Sequence, residues 1–271
     1  MKISDMLFNR ELSWIEFNKR VLEEAEDKSN PLLERLKFLA IFYTNLDEFF
    51  MIRVSGLKRQ IESEVDELTT DGMTATEQRE EIFKRLSPLV DRSYELFKNE
   101  LIPGLAENGI KFFRFDELPD NEKIKIRKYF DDELFPILTP IALDNVHPFP
   151  NLVNRTVALA IMLKDPEADT EYLKMCVIQV PGNIPRIYQI EDFDGYGFIF
   201  LDDIIMANAD KLFPGMIVQG AYPFRITRNA DLEYEEEDAD DLLTLIEEEV
   251  KKRRLGIIVR LEVDNMMPEK F

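Results

Sequence analysis

Through the first hundred residues, apolar side chains return every three or four positions. Beyond that they alternate or gather in short runs. The first pattern is helical and the second belongs to strands. Ser13-Trp14-Ile15-Glu16 has the form of a capping box and predicts a helix over residues 13–27. Asn30-Pro31 pairs an N-cap residue with a first-turn proline and predicts a second start. The stripe after it is long: Leu32, Leu39, Leu46, Phe50, Leu57 and Ile61 lie along it. A polar stretch over residues 62–72 ends this helix. Thr74-Ala75-Thr76-Glu77 is a third capping box, and Ile82, Leu86, Leu89 and Leu96 carry the helix behind it to about residue 105. Three antiparallel helices over residues 1–107 fit this region.

After Glu107-Asn108-Gly109 the pattern predicts a strand at 110–115 and a helix at 121–135. Strands follow at 156–163, 172–180, 186–190 and 197–201, then a helix at 202–212. One long strand is expected at 217–227, kinked at Gly220 and Pro223, and a helix at 238–253 precedes a last strand at 256–263. The fold class is therefore α+β: an N-terminal antiparallel three-helix domain (1–107), then a mixed head domain (108–271) with a mostly antiparallel sheet. A strand ending eight residues before Phe271 is either a sheet edge or the start of elements that follow it.

Charge narrows the partners. The formal net charge is −20. Nucleic-acid affinity comes largely from neutralised phosphates, so a general nucleic-acid surface is excluded, as is an anionic membrane surface. No apolar run approaches the ~20 residues of a membrane span, and no signal pattern opens the chain. A single cysteine, Cys176, permits no internal disulfide and reads as a small core residue. A cytoplasmic location is the expectation.

Candidate chemistry is sparse. Neither common glycine-rich phosphate loop occurs, and there is no Cys/His cluster with metal spacing. The one histidine, His147, sits between Val146 and Pro148-Phe149-Pro150 and reads as part of a rigid connector. Lys251-Lys252-Arg253-Arg254 could bind phosphate, but it closes a helix that opens with Asp238, Asp240 and Asp241, an arrangement in which the cations complement the helix dipole. Arg53, Lys58 and Arg59 form either a solvated face or the mouth of an anion site. More telling is a second apolar ridge on the long helix, formed by Phe38, Phe42, Phe49 and Ile52, with Asn45 set into it. An amide there needs partners. It either bonds a neighbouring helix or faces a ligand flanked by aromatic surface. A donor and an acceptor side by side suit the edge of adenine.

These residues also carry a resemblance. Phe8-Asn9-Arg10-Glu11-Leu12-Ser13-Trp14-Ile15-Glu16-Phe17-Asn18 resembles the opening of the long-chain polyphosphate kinases. So do the run from Ser29 to Leu39 and Thr44-Asn45-Leu46-Asp47-Glu48-Phe49-Phe50-Met51-Ile52-Arg53-Val54. Leu138-Thr139-Pro140, His147-Pro148-Phe149-Pro150 and the run from Phe224 to Leu232 extend it across nearly all of the chain. The resemblance implies reversible transfer of the terminal phosphoryl group of ATP to inorganic polyphosphate, with Mg2+ and a phosphohistidine. It implies ATP or ADP as substrate, self-association through the head domain, and Asn45 as the nucleotide contact. The phosphorylated histidine and the phosphate-binding arginines belong to the family's C-terminal domains, which this chain does not match. The chain is thus expected to be a piece truncated at its C-terminal end, inactive alone, with no tightly bound cofactor and its own C-terminal domains as partner. The competing expectation is a non-catalytic dimerisation module.

Overall fold

The computed structural model describes residues 7–63, 68–143, 149–167, 173–191, 193–229 and 256–269. They form two compact units. The first gathers the described residues of 7–107, 227–229 and 256–260, and the second those of 108–226 and 261–269.

The first unit is helical. Its first helix, α1 (Arg10–Glu26), begins ahead of the Ser13 box, because Asn9 is the better cap. Asn9 Oδ1 accepts from the backbone N–H of Glu11 at 3.0 Å and of Leu12 at 3.1 Å. Its Nδ2 donates to Asp71 at 3.2 Å and Gln78 at 3.1 Å, which fixes the cap from the other side. Helix α2 (Leu32–Glu48) follows Pro31 without a side-chain cap. Asn30 is not that cap: its Nδ2 donates back to the Glu24 carbonyl at 2.9 Å and ties the turn between the helices.

A π-helical turn (Phe49–Val54) joins α2 to α3 (Ser55–Glu62). The wider turn lets the consecutive residues Phe49 and Phe50 both be buried. The Thr74 box opens α4 (Ala75–Leu96), with the Thr74 N–H donating to Glu77 at 2.8 Å and the Glu77 N–H to Thr74 Oγ1 at 3.2 Å. A second π turn (Phe97–Leu101) leads to α5 (Ile102–Glu107). Leu22, Phe42, Leu46, Ile82 and Leu101 are fully buried between these helices. Each such side chain contributes about 1.5–3 kcal/mol.

The second unit is α+β with mostly antiparallel sheets. Strand β1 (Ile110–Phe113) pairs parallel with β6 (Tyr196–Phe200), and β5 (Ile187–Ile190) flanks β6 antiparallel. Gly195, at φ +114°, is held to glycine here: an added Cβ would lie 2.5 Å from the Gly109 carbonyl, which accepts from the Tyr196 N–H. Four more strands make the larger sheet: β2 (Ile141–Leu143), β3 (Val157–Lys164), β4 (Lys174–Gln179) and β7 (Ile217–Arg228). With β8 (Ile258–Val263) the order is β2-β4-β3-β7-β8. The register of β7 on β3 shifts at Met162/Leu163, opposite Gly220 and Val218.

Strand 110–115 stops at Phe113, because Phe115 enters a 3-10 turn. Helix α6 (Asp120–Tyr129) runs on through a π turn and a 3-10 turn to Ile137. The helix expected at 202–212 is cut in two. Asn208, closing α7 (Leu201–Ala207), donates its Nδ2 to the Ile204 carbonyl at 2.9 Å. Strand β2 has no signature in the sequence, since three residues carry no period. Leu159, Ile161, Ile178, Phe130 and Ile204 centre the core of this unit. The helix expected at 238–253, His147 and the Lys251–Arg254 cluster lie outside the described residues.

Candidate nucleotide-binding face

Helices α1 and α2 run antiparallel, and their facing side chains form a short strip of pairs. Asn18 faces Asn45, Trp14 faces Phe49, and Glu11 faces Arg53. Successive pairs are three or four residues apart on each helix, about one turn or 5–6 Å. Antiparallel packing joins three residues of α1 with Asn45 of α2 and with Phe49 and Arg53 of the π turn that continues it into one surface.

The amide pair is the innermost part. Asn18 lies on the buried stripe of α1 between Ile15 and Leu22, and is itself fully buried. Its Nδ2 donates to the Phe42 carbonyl at 3.2 Å. Its Oδ1 accepts from Asn45 Nδ2 at 2.9 Å. Asn45 is half-buried. Among the described residues no protein group bonds its Oδ1, so an acceptor and one N–H remain for something else.

The Trp14 ring stacks on Phe49 with centroids 4.2 Å apart and planes 10° from parallel. Arg10, Glu11, Ser13, Trp14, Phe17 and Arg53 line a shallow cleft of about 300 Å³ at this end of the strip. Phe17 is 49% exposed. Arg53 Nη1 is 3.8 Å from Glu11 Oε1, an ion pair beyond hydrogen-bond length. Burial raises the Glu11 carboxyl above the ordinary range, and Arg53 and Arg10 offset part of that rise.

The ridge seen in the sequence is divided by the fold. Phe42 and Phe49 point into the core, while Ile52 is 40% exposed. The aromatic surface on the strip comes from Trp14 and Phe17 of the partner helix instead. The basic trio is divided as well. Lys58 Nζ donates to the Ile258 carbonyl at 3.1 Å, so of Arg53, Lys58 and Arg59 only Arg53 lines the cleft.

Behind the strip, Asp47 is buried and lies 3.8 Å from Arg260, whose guanidinium stands 4.9 Å from the Phe50 ring centroid. Nothing local in the sequence links residues 47 and 260. Asn18 could have been found, as the polar residue on an otherwise apolar stripe. In the second unit a larger cleft of about 530 Å³ lies along α6, but its cations are engaged. Lys123 Nζ donates to the Asp116 carbonyl at 2.9 Å, and Arg127 stands over Phe115.

Comparison with known families follows the same residues. The polyphosphate kinase N-terminal domain matches residues 7–113, and the polyphosphate kinase middle domain matches residues 121–271. The chain belongs to the polyphosphate kinase family. It is 45% identical to a polyphosphate kinase of Thermosynechococcus vestitus over 267 residues, covering 96% of this chain and 36% of that protein. It is 47% identical to one from Halalkalibacterium halodurans over 257 residues, covering 94% and 36%. The crystal structure of polyphosphate kinase from Porphyromonas gingivalis superposes with a TM-score of 0.77 at 28% identity, covering 97% of this chain and 36% of that one. The chain thus spans a little over a third of the length of these relatives. No described helix is long and apolar enough to cross a membrane.

Proposed function

We propose that this chain is the nucleotide-contacting and assembly portion of an enzyme that reversibly transfers the terminal phosphoryl group of ATP to inorganic polyphosphate. Asn45 contacts the adenine edge. The observation that supports this is the half-buried Asn45 amide, which spends one N–H on Asn18 and keeps an acceptor and a donor, one turn along the strip from half-buried Trp14 and exposed Phe17. Arg53, at the cleft, favours the anionic side of a nucleotide.

Phosphoryl transfer rests on positioning and on cations that stabilise the developing charge. A chain of net charge −20 with one histidine does not supply these by itself. The transfer machinery is assigned to the remainder of the family's length. Mg2+ would arrive with the ATP phosphates: among the described residues no carboxylate, histidine or cysteine cluster suits a metal. The domain boundary is placed at Glu107/Asn108, with self-association assigned to the second part. Leu261 and Val263, exposed on β8, which is the outer strand of the sheet among the described residues, support that assignment.

The test is an assay of this chain and of the full-length enzyme with ATP, Mg2+ and a polyphosphate primer, following ADP and chain growth. The full-length enzyme should turn over and the chain alone should not. Turnover that co-purifies with the chain alone would overturn this division of labour.

A further inference from the structure

The amide pair does more than bury two asparagines. Hydrogen-bond chemistry fixes the orientation of both side chains. The Phe42 carbonyl can only accept, so the group of Asn18 facing it must be Nδ2. Asn18 Oδ1 is then turned towards Asn45, and only Asn45 Nδ2 can donate to it. Asn45 Oδ1 is left pointing away from Asn18, with the second N–H of Nδ2 beside it. A main-chain carbonyl, which cannot be flipped, sets the polarity of a side chain two bonds further on.

That polarity matters because a free primary amide reads purines ambiguously. Adenine presents an N6–H donor beside the N1 acceptor. Hypoxanthine presents the reverse, an O6 acceptor beside an N1–H donor. An amide that can rotate by 180° matches either, whereas an amide held in one orientation matches one and opposes the other.

Resting on the reading of Asn45 as the adenine contact, we propose that Asn18 is a positioning residue for nucleotide selection. Through its bond to the Phe42 carbonyl it locks the Asn45 amide in a single orientation and so makes the site select adenine over 6-oxopurines. Asn18 is fully buried, so it acts from behind the site rather than on the nucleotide itself. Its whole effect on selection passes through Asn45.

The test compares ATP with inosine triphosphate as substrates of the full-length enzyme, by kcat/KM, in the wild type and in Asn18→Ala, Asn18→Asp and Asn45→Ala. The wild type should prefer ATP by at least tenfold. Asn18→Ala should cut that preference severalfold or more, and should do so partly by improving use of inosine triphosphate. A merely structural role cannot produce that gain, because loss of folded protein lowers both substrates together. Asn18→Asp, buried and protonated, keeps an acceptor towards Asn45 and a donor towards Phe42, and should retain most of the preference. An Asn18→Ala enzyme that melts lower but keeps the wild-type ratio would overturn the proposal. If Asn18→Ala does not fold, the wild type still decides. A wild type that uses both nucleotides equally, while Asn45→Ala weakens both, would mean that Asn45 touches the base but is not locked. If Asn45→Ala changes neither substrate, the nucleotide reading itself fails, a different outcome from failure of the lock.

Discussion

The two ends of the α1–α2 pair contain similar residue types and use them differently. At the end where the helices are joined, polar groups are spent on one another. Arg35, whose side chain is 9% exposed, donates its Nε to the Ala25 carbonyl at 2.8 Å and its Nη2 to Glu100 at 2.9 Å. Asn30 donates to Glu24, and the Ser29 N–H donates to Asp27. At the far end Asn45 keeps an open oxygen, Arg53 stands 3.8 Å from its carboxylate, and the faces of Trp14 and Phe17 border a cleft. Polarity at the first end holds two helices at a fixed turn. Polarity at the second is held in place but not used up, which is the condition for binding something else. Residue type alone does not separate a structural arginine from a functional one; the remaining hydrogen-bond capacity does.

The comparison breaks most visibly at Arg35. Arg35→Ala leaves the Ala25 carbonyl without its buried donor and frees Glu100, and should cost about 2–4 kcal/mol in urea denaturation. ATP affinity of the folded variant should stay within about twofold. A large loss of affinity without loss of stability would erase the distinction between the two ends.

A polar cluster in the second unit extends the contrast. Asp203, in the first turn of α7, has its pKa raised to about 6 by burial, with the Asp202 charge adding to the rise. The unfolded value is about 3.9, so folding takes up a proton between the two values. Stability from this group is present below pH ~4 and is lost as pH rises to about 6. Asp203→Asn should remove that loss and raise stability at pH 7.5 by roughly 1–3 kcal/mol, with little change at pH 4. Equal effects at both pH values would contradict the burial argument.

The smallest effect is expected at the cleft rim. Arg53 has a side chain 40% exposed, so Arg53→Gln should weaken ATP binding only severalfold and with a salt dependence, leaving the melting temperature nearly unchanged. A loss that is insensitive to salt would mean Arg53 acts by packing instead.

Much of this was legible in the sequence, and the misses have specific causes. The Thr74 box, the start of the stripe on α2 and the continuous apolar run of β3 are short-range patterns, and each formed where the pattern placed it. Asn45 stood out as an amide on an apolar ridge. The π turn at Phe49–Val54 did not, because a period near 3.6 cannot announce one inserted residue. It divides the Phe38–Ile52 ridge between core and surface. The start of α1 moved from Ser13 to Asn9 because the cap is chosen partly by Asp71 and Gln78, sixty-odd residues away. Arg260, behind Asp47, was equally out of reach of any local pattern.

The most direct test of the account is Asn45→Ala in the full-length enzyme, with ATP affinity by titration and the melting temperature measured on the same preparation. Losing one or two hydrogen bonds of about 0.5–1.5 kcal/mol each predicts an affinity loss of up to about a hundredfold. The melting temperature should shift by only a few degrees, because Asn18 keeps its bond to the Phe42 carbonyl and the loss is confined to the one donor given up at its Oδ1. A variant that melts far lower yet binds ATP as the wild type does would show Asn45 to be a structural amide and contradict the account.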